Sequence, residues 1–90
     1  MLKVLDFWAP WCGPCKAMTP VIESLISEYN NPDSGVEIVK VNADEAEDLC
    51  KKYNVRSIPQ MIFEKDGKVI KTLSGIRQKS EIVEIITELK

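Results

Sequence analysis

The sequence contains no histidine, and this absence removes several kinds of site. A Cys–His pair or a Ser–His–Asp triad needs an imidazole as its base, so neither can operate within this chain. A Cys₂His₂ zinc site is excluded too, as is a C-x-x-C-H haem attachment, since Lys16 stands where the haem motif requires histidine. The chain has 3 cysteines, too few for a tetrahedral all-cysteine zinc site. We therefore expect no metal.

Strong net charge and long apolar runs are also missing. Lysine and arginine number 12 against 14 aspartates and glutamates, a net charge of −2, which gives no signal for binding nucleic acid or an anionic membrane. No stretch approaches the roughly 18 apolar residues of a membrane-spanning helix. The N-terminal segment is interrupted by Lys3 and Asp6 and lacks the apolar core of a secretory signal. We expect a cytoplasmic protein, in a compartment that keeps thiols reduced, with neither nucleic acid nor membrane as a partner.

Nucleotide-binding signatures are absent as well. The 4 glycines never form the G-x-G-x-x-G pattern of a dinucleotide site. The 90 residues suffice for a single domain, residues 1–90, and leave no room for a second domain. We expect no cofactor, so any electrons that the chain transfers must come from a separate protein.

The apolar pattern predicts seven elements in the order β-α-β-α-β-β-α. The first helix is kinked at Pro20, Asn42 or Asp44 caps the second, and Asp66 with Gly67 forms a hairpin turn. A long crossover makes the first two strands parallel, and the hairpin adds an antiparallel pair. The expected fold is α/β, a four-stranded mixed sheet sandwiched by helices. The predicted elements are residues 4–8, 13–29, 36–41, 45–53, 61–64, 69–73 and 80–89.

Cys12 and Cys15 form a C-x-x-C pair directly after a buried strand and at the start of a helix. Such a pair can be a redox dithiol, half of a metal site or two core residues, and the helix start favours the first, because it stabilises a thiolate. Cys12, nearer the helix start, is expected to attack a substrate disulfide. Cys15, about one turn further in and more shielded, is expected to resolve the mixed disulfide. Pro14 costs little at an early helical position.

The run Leu5-Asp6-Phe7-Trp8-Ala9-Pro10-Trp11-Cys12-Gly13-Pro14-Cys15-Lys16 resembles the active-site run of the thioredoxin family. The similarity continues in residues 40–44 and 53–59, at Gly67 and at Gly75, and covers nearly the whole chain. It implies a thioredoxin-like fold and a reducing protein-disulfide oxidoreductase that maintains cell redox homeostasis. The implied partners are disulfide-containing proteins and a thioredoxin reductase.

The resemblance also implies roles for individual residues. Asp6 matches the family's buried carboxylate, which helps to deprotonate the resolving cysteine, and burial of an unpaired carboxylate raises its pKa. Lys40 matches a lysine beside that carboxylate, although a solvated lysine at a strand end is an equally good interpretation. Gly13 and Pro14 match the spacer that tunes the redox properties of the dithiol.

A substrate-binding collar follows from the same resemblance. Pro59 matches the family's cis-proline, which faces the dithiol, and the backbone of Ile58 is expected to pair with an extended substrate segment. Ordinary packing remains an alternative for Ile76. Cys50 matches nothing catalytic and is expected to be a small, half-buried residue. The expected collar consists of Trp11, Ile58, Pro59, Gly75 and Ile76.

Three features depart from the family pattern. The chain begins at the strand that carries Asp6, whereas the family has a further strand and helix before it, so the second strand is expected to be an exposed edge. We expect weak self-association through this edge, or lower stability. Ser57 stands where the family often has glycine, and Gln60 stands where the family usually has threonine. These two departures bear on the choice of partner and not on the expected reaction.

Two alternative functions remain at this point. A glutaredoxin-like, oxidase-like or isomerase-like relative would use the same dithiol, but the Gly-Pro spacer and Trp11 favour the reducing type by family analogy. A binding module that uses the fold as a partner subunit would not need the dithiol at all. The intact cysteine pair together with Asp6 argues against that second alternative.

Overall fold

The computed structural model describes residues 1–90 and contains seven elements in the predicted order. The α/β class and the four-stranded mixed sheet are confirmed. None of the three helices combines the length and apolar character needed to cross a membrane. The strands are β1 (Leu2–Trp8), β2 (Val36–Asn42), β3 (Gln60–Lys65) and β4 (Lys68–Ser74), and the helices are α1 (Gly13–Tyr29), α2 (Glu47–Lys52) and α3 (Lys79–Leu89).

The sheet has the strand order β2-β1-β3-β4, so β1 lies inside it and β2 forms one edge. β1 pairs parallel with β2, which places Lys40 opposite Asp6. On its other side β1 pairs antiparallel with β3, which places Met61 opposite Asp6. The β3–β4 hairpin turns at Asp66 and Gly67, whose φ angles of 54° and 80° are the positive values that a tight hairpin needs.

The side chains of β1 alternate between the two faces of the sheet, and each face packs against helices. Leu2 and Val4 belong to a cluster of 13 buried residues that includes side chains of α1 and α3. Leu5 and Phe7 belong to a smaller cluster of 4, against which residues of α2 pack. The predicted sandwich is therefore confirmed. By the same alternation Asp6 and Trp8 lie on the face that α1 and α3 cover.

Two elements begin two residues away from the prediction, four others differ from it by one residue at one or both ends, and α1 matches it. β1 begins at Leu2 rather than residue 4, because the N–H of Leu2 donates to the carbonyl of Gly35 at 2.9 Å and starts the ladder with β2. α2 begins at Glu47 rather than residue 45 and has no side-chain cap. Asn42 is unavailable as a cap, because its Oδ1 accepts from the N–H of Asp44 at 3.0 Å and stabilises the preceding turn. α1 continues through Pro20 as predicted.

Candidate active site

A turn after β1 places Cys12 directly before the first residue of α1. The N–H of Cys12 donates to the carbonyl of Ala9 at 3.1 Å, and the extended backbone of Cys12 (φ −87°, ψ 107°) makes it the N-cap. The Sγ atom of Cys12 accepts a hydrogen bond from the N–H of Cys15 at 3.1 Å. Sulfur thus occupies the place where a capping oxygen satisfies a free N–H of the first turn. This environment favours a negative charge on Cys12.

Cys12 and Cys15 form a disulfide, with their Cα atoms 5.2 Å apart, so the structure describes the oxidised protein. Both side chains are only 4% exposed. The expectation that Cys15 is more shielded than Cys12 is therefore wrong for this form, in which Trp8 and Ile58 pack against the cluster that contains both cysteines. The N-cap position, and not exposure, distinguishes the two cysteines.

The two spacer residues between the cysteines, Gly13 and Pro14, are exposed to solvent. Pro14 lies in the first turn of α1, where its missing N–H removes no helical hydrogen bond. Gly13 is exposed, and a Cβ atom built there would meet nothing within 4 Å. A substrate can therefore approach over the spacer.

Asp6 is a buried carboxylic acid near the active-site end of β1. Its side chain is 3% exposed, and its Oδ1 atom has no hydrogen-bond partner. Burial raises the pKa of Asp6 from 3.8 to about 6, and the nearby charge of Lys40 opposes this rise. The carboxylate is thus a stronger base than an exposed aspartate and can take up a proton near neutral pH.

Lys40 is directed toward Trp8 instead of forming an ion pair with Asp6. Its Nζ atom lies 4.9 Å from the centroid of the Trp8 ring, a cation–π contact. No oxygen of Asp6 lies within ion-pair distance of Nζ. Trp8 also packs against the cluster formed by Ala9, Cys12 and Cys15. Sequence reasoning missed this role of Trp8, although the two-residue alternation of β1 places Trp8 on the same face as Asp6.

The expected collar is partly assembled around Pro59. The Ile58–Pro59 peptide bond is cis, as the family resemblance predicted. The carbonyl of Pro59 accepts from the N–H of Gly75 at 2.9 Å, which joins the start of β3 to the end of β4. Gly75 has a φ of 84°, a conformation that suits glycine. Ile58 packs against the dithiol cluster, and Ile76 is 60% exposed beside Gly75.

Trp11 lies over a groove of about 370 Å³ on the side of α2. Its Nε1 donates to both carboxylate oxygens of Asp44, at 3.1 and 3.0 Å. Asp44 is a positioning residue that sequence reasoning missed, because 33 residues separate it from Trp11. The groove is lined by Trp11, Ala43, Cys50, Val55, Arg56, Ser57 and Ile58.

The two residues that depart from the family pattern differ in position. Ser57 lines the groove, where it can influence the choice of substrate. Gln60 is 9% exposed, pairs with Phe7 and Ser74 within the sheet and does not line the groove. Cys50 is half-buried, as expected, and its Sγ lies 3.9 Å from the carbonyl oxygen of Ala43.

Comparisons with known proteins agree with this site. The family model described as Thioredoxin matches residues 1–88. Thioredoxin from Bacillus subtilis is 42% identical over 83 residues, which cover 92% of this chain and 77% of the relative. The germline-specific thioredoxin Deadhead from Drosophila melanogaster superimposes with a TM-score of 0.85 at 32% identity, covering 99% of this chain and 81% of the other. Oxidised mitochondrial thioredoxin 3 from Saccharomyces cerevisiae gives a TM-score of 0.81 at 38% identity, covering 98% and 78%.

A redox-active disulfide at a helix N-terminus, on a four-stranded sheet between helices, defines a protein-disulfide oxidoreductase. The chain belongs to the thioredoxin family. Its reaction is dithiol–disulfide exchange through Cys12 and Cys15, and its partners are disulfide-containing proteins and a reductase.

Proposed function

We propose that this chain reduces protein disulfides in the cytoplasm, contributes to cell redox homeostasis and is returned to its dithiol form by a thioredoxin reductase. The observation that carries the proposal is the Sγ of Cys12 at the N-cap of α1, where the N–H of Cys15 favours a thiolate. A reducing dithiol works only where a reductase keeps it reduced, which fits a compartment with reduced thiols.

Cys12 carries out the first chemical step. Its thiolate attacks one sulfur of the substrate disulfide, a bond forms between Cys12 Sγ and that sulfur, and the second substrate sulfur leaves as a thiolate that takes up a proton. The exposed spacer at Gly13 and Pro14 gives the substrate room to approach. The product is a mixed disulfide between Cys12 and the substrate.

Cys15 and Asp6 carry out the second step. The Asp6 carboxylate accepts the proton of the Cys15 thiol, and its pKa of about 6 suits this transfer. The Cys15 thiolate then attacks Cys12 Sγ, and the first substrate sulfur leaves as a thiolate. Two electrons have passed to the substrate, and the chain holds the Cys12–Cys15 disulfide. Lys40 moderates the basicity of Asp6 through its charge.

The collar binds the segment of substrate that surrounds the reacting cysteine. Trp11 and Ile76 are large apolar side chains that are 69% and 60% exposed, so a bound substrate would remove them from water. The backbone of Ile58 pairs with an extended substrate segment, beside Pro59 and Gly75. Self-association through the β2 edge is weak in this proposal, because the side chain of Asn30 already hydrogen-bonds to main-chain groups of that edge.

Trapping with Cys15→Ser tests the proposal. This variant keeps the attacking thiol but cannot resolve, so substrates should accumulate on Cys12 as mixed disulfides that dithiothreitol releases. The matched control is the double variant Cys12→Ser/Cys15→Ser, which should capture nothing. Cys50 remains in the double variant, so the absence of capture there would also show that Cys50 does not form the mixed disulfides. Capture of the same proteins by the double variant, or of none by Cys15→Ser, would contradict the proposal.

A further inference from the structure

The outward-facing groups of the β2 edge can be assigned from the ladder between β1 and β2. The N–H of Leu2 donates to the carbonyl of Gly35, and the N–H of Ala43 donates to the carbonyl of Trp8, which fixes the alternation of the parallel pairing. Every second residue of β2 therefore turns its main-chain N–H and carbonyl toward β1. The residues whose main-chain groups face outward are Val36, Ile38, Lys40 and Asn42.

Asn30 occupies both outward groups of Ile38. Its Oδ1 accepts from the N–H of Ile38 at 2.7 Å, and its Nδ2 donates to the carbonyl of Ile38 at 3.0 Å. One side-chain amide thus makes the same two hydrogen bonds that a residue of a neighbouring strand would make. Asn30 is held in this position by α1, because its own N–H donates to the carbonyl of Ile26 at 3.0 Å.

The outward main-chain groups of Val36 and Lys40, on either side of Ile38, are less completely hydrogen-bonded than those of Ile38. The N–H of Val36 donates to Ser34 Oγ at 3.0 Å. The single hydroxyl hydrogen of Ser34 is shared among the carbonyls of Tyr29, Asn31 and Val36, so Val36 has only a part-time donor. The outward N–H and carbonyl of Lys40 have no partner.

We propose that Asn30 blocks strand pairing at the β2 edge, and that the strand it excludes is β2 of a second copy of this chain. An antiparallel pair of two β2 strands centred on Ile38 would join the Ile38 residues of the two copies by two hydrogen bonds. In that register Val36 lies opposite Lys40 and Glu37 lies opposite Val39, so no like charges meet. The amide of Asn30 occupies the centre of this interface. With Asn30 in place only Lys40 remains fully open, which is too little to fix a register.

Removal of the Asn30 amide tests the proposal, and the neighbouring Asn31 supplies a matched control. The side chain of Asn31 bonds to the carbonyl of Glu28 and the N–H of Asp33 and does not contact β2. In Asn30→Ala the hydrogen exchange of the Ile38 amide should accelerate about five- to tenfold, because the amide loses its hydrogen bond to Asn30 Oδ1. Sedimentation velocity should show the weight-average mass rising with concentration, whereas the wild type and Asn31→Ala stay close to monomer mass.

Two results would overturn the proposal. Unchanged exchange at Ile38 in Asn30→Ala would show that the amide does not protect the edge. Accelerated exchange with a mass that stays monomeric up to millimolar concentration would show that the edge is not blocked against a second copy. If Asn30→Ala fails to fold, Asn30→Ser serves instead, because it stays polar and uncharged but a single hydroxyl cannot replace both hydrogen bonds of the amide to Ile38. Greater self-association of Asn30→Ser than of the wild type supports the proposal, and its absence contradicts it.

Discussion

Lys40 lies directly opposite Asp6 in the parallel pair of β1 and β2, yet its ammonium group lies 4.9 Å from the centre of the Trp8 ring and makes no ion pair with the Asp6 carboxylate. The charge of Lys40 therefore acts on Asp6 only at a distance, and burial determines the direction of the pKa change. The position of one lysine side chain thus helps to keep Asp6 basic enough to exchange protons near neutral pH.

Replacement of Lys40 by methionine should raise the pKa of Asp6 further. The lysine charge is the one cause that lowers this pKa, and methionine keeps most of the apolar stem without the charge. A titration of the Asp6 carboxyl carbon by NMR measures the change. Lys3→Met is the matched control, because Lys3 is on the same sheet but its side chain points to the opposite face, and it should leave the titration unchanged. A lower pKa in Lys40→Met would contradict the prediction.

Replacement of Asp6 by asparagine should stabilise the protein at neutral pH. The folded-state pKa of Asp6 is about 6 against 3.8, so the folded protein holds the proton more tightly than the unfolded chain. The contribution of Asp6 to the free energy of unfolding is therefore fully present below about pH 4 and is lost as the pH rises through about 6. A pKa difference of about 2 corresponds to about 3 kcal/mol of lost stability. Asp6→Asn should recover this stability at pH 7 but not at pH 4. Urea unfolding at the two pH values measures the difference. Equal effects at both would argue against a pKa origin.

The same substitution should slow the resolving step. Without a carboxylate to accept the Cys15 proton, release of substrate from the mixed disulfide should slow roughly 10- to 100-fold at pH 7. Single-turnover kinetics of a preformed mixed disulfide on Cys12 measures this step separately from attack. The wild-type rate should rise with pH through about 6, the pKa of Asp6, and this rise should be missing in Asp6→Asn. Asp33→Asn, an exposed loop variant, should behave like the wild type.

Loss of the Asp44 carboxylate should weaken substrate binding more than chemistry. Asp44 accepts both bonds from Trp11 Nε1, so Asp44→Ala leaves the exposed indole free to rotate. We expect the KM for a protein disulfide to rise about two- to fivefold, as for the loss of an exposed hydrogen bond, with kcat nearly unchanged. Steady-state kinetics checks this, with the adjacent exposed Glu45→Ala as the comparison. A fall in kcat without a change in KM would assign Asp44 a different role.

The reduction potential separates a reducing oxidoreductase from the glutaredoxin-like and oxidase-like alternatives. For a member of the thioredoxin family we expect a value near about −270 mV, below the roughly −200 to −230 mV of glutaredoxins. Equilibration of the Cys12–Cys15 pair with a glutathione or dithiothreitol redox series measures it. A value at or above the glutaredoxin range would contradict the proposed reductase role.

Much of the fold was predictable because local patterns determine it. Each local pattern favours one kind of element: apolar runs favour strands, the apolar stripe after Cys12 favours a helix, and Asp66–Gly67 favours a hairpin turn. All of these elements appear in the predicted order. Helix α2 was placed less well, since Asn42 can cap a helix or form a turn and only the surrounding structure selects the turn. The cis bond before Pro59 followed from the family resemblance, because nothing in the local residues demands it.

The parts of the site that were missed depend on contacts between distant residues. The bond from Trp11 to Asp44 and the contact between Lys40 and Trp8 join residues that no local pattern links. The equal burial of Cys12 and Cys15 was missed for the same reason, since one of the side chains packed against their cluster is Ile58, which lies far from them in the sequence. The dithiol itself was predicted from the C-x-x-C spacing together with its place after a buried strand and at the start of a helix.

The three buried residues of the dithiol cluster, Ala9, Cys12 and Cys15, are separate from the two larger clusters that hold the sheet and helices together. Ile58 nevertheless packs against both the dithiol cluster and the cluster that faces α2. A side chain shared in this way is a physical route by which a change of redox state at Cys12 and Cys15 can reach the rest of the fold.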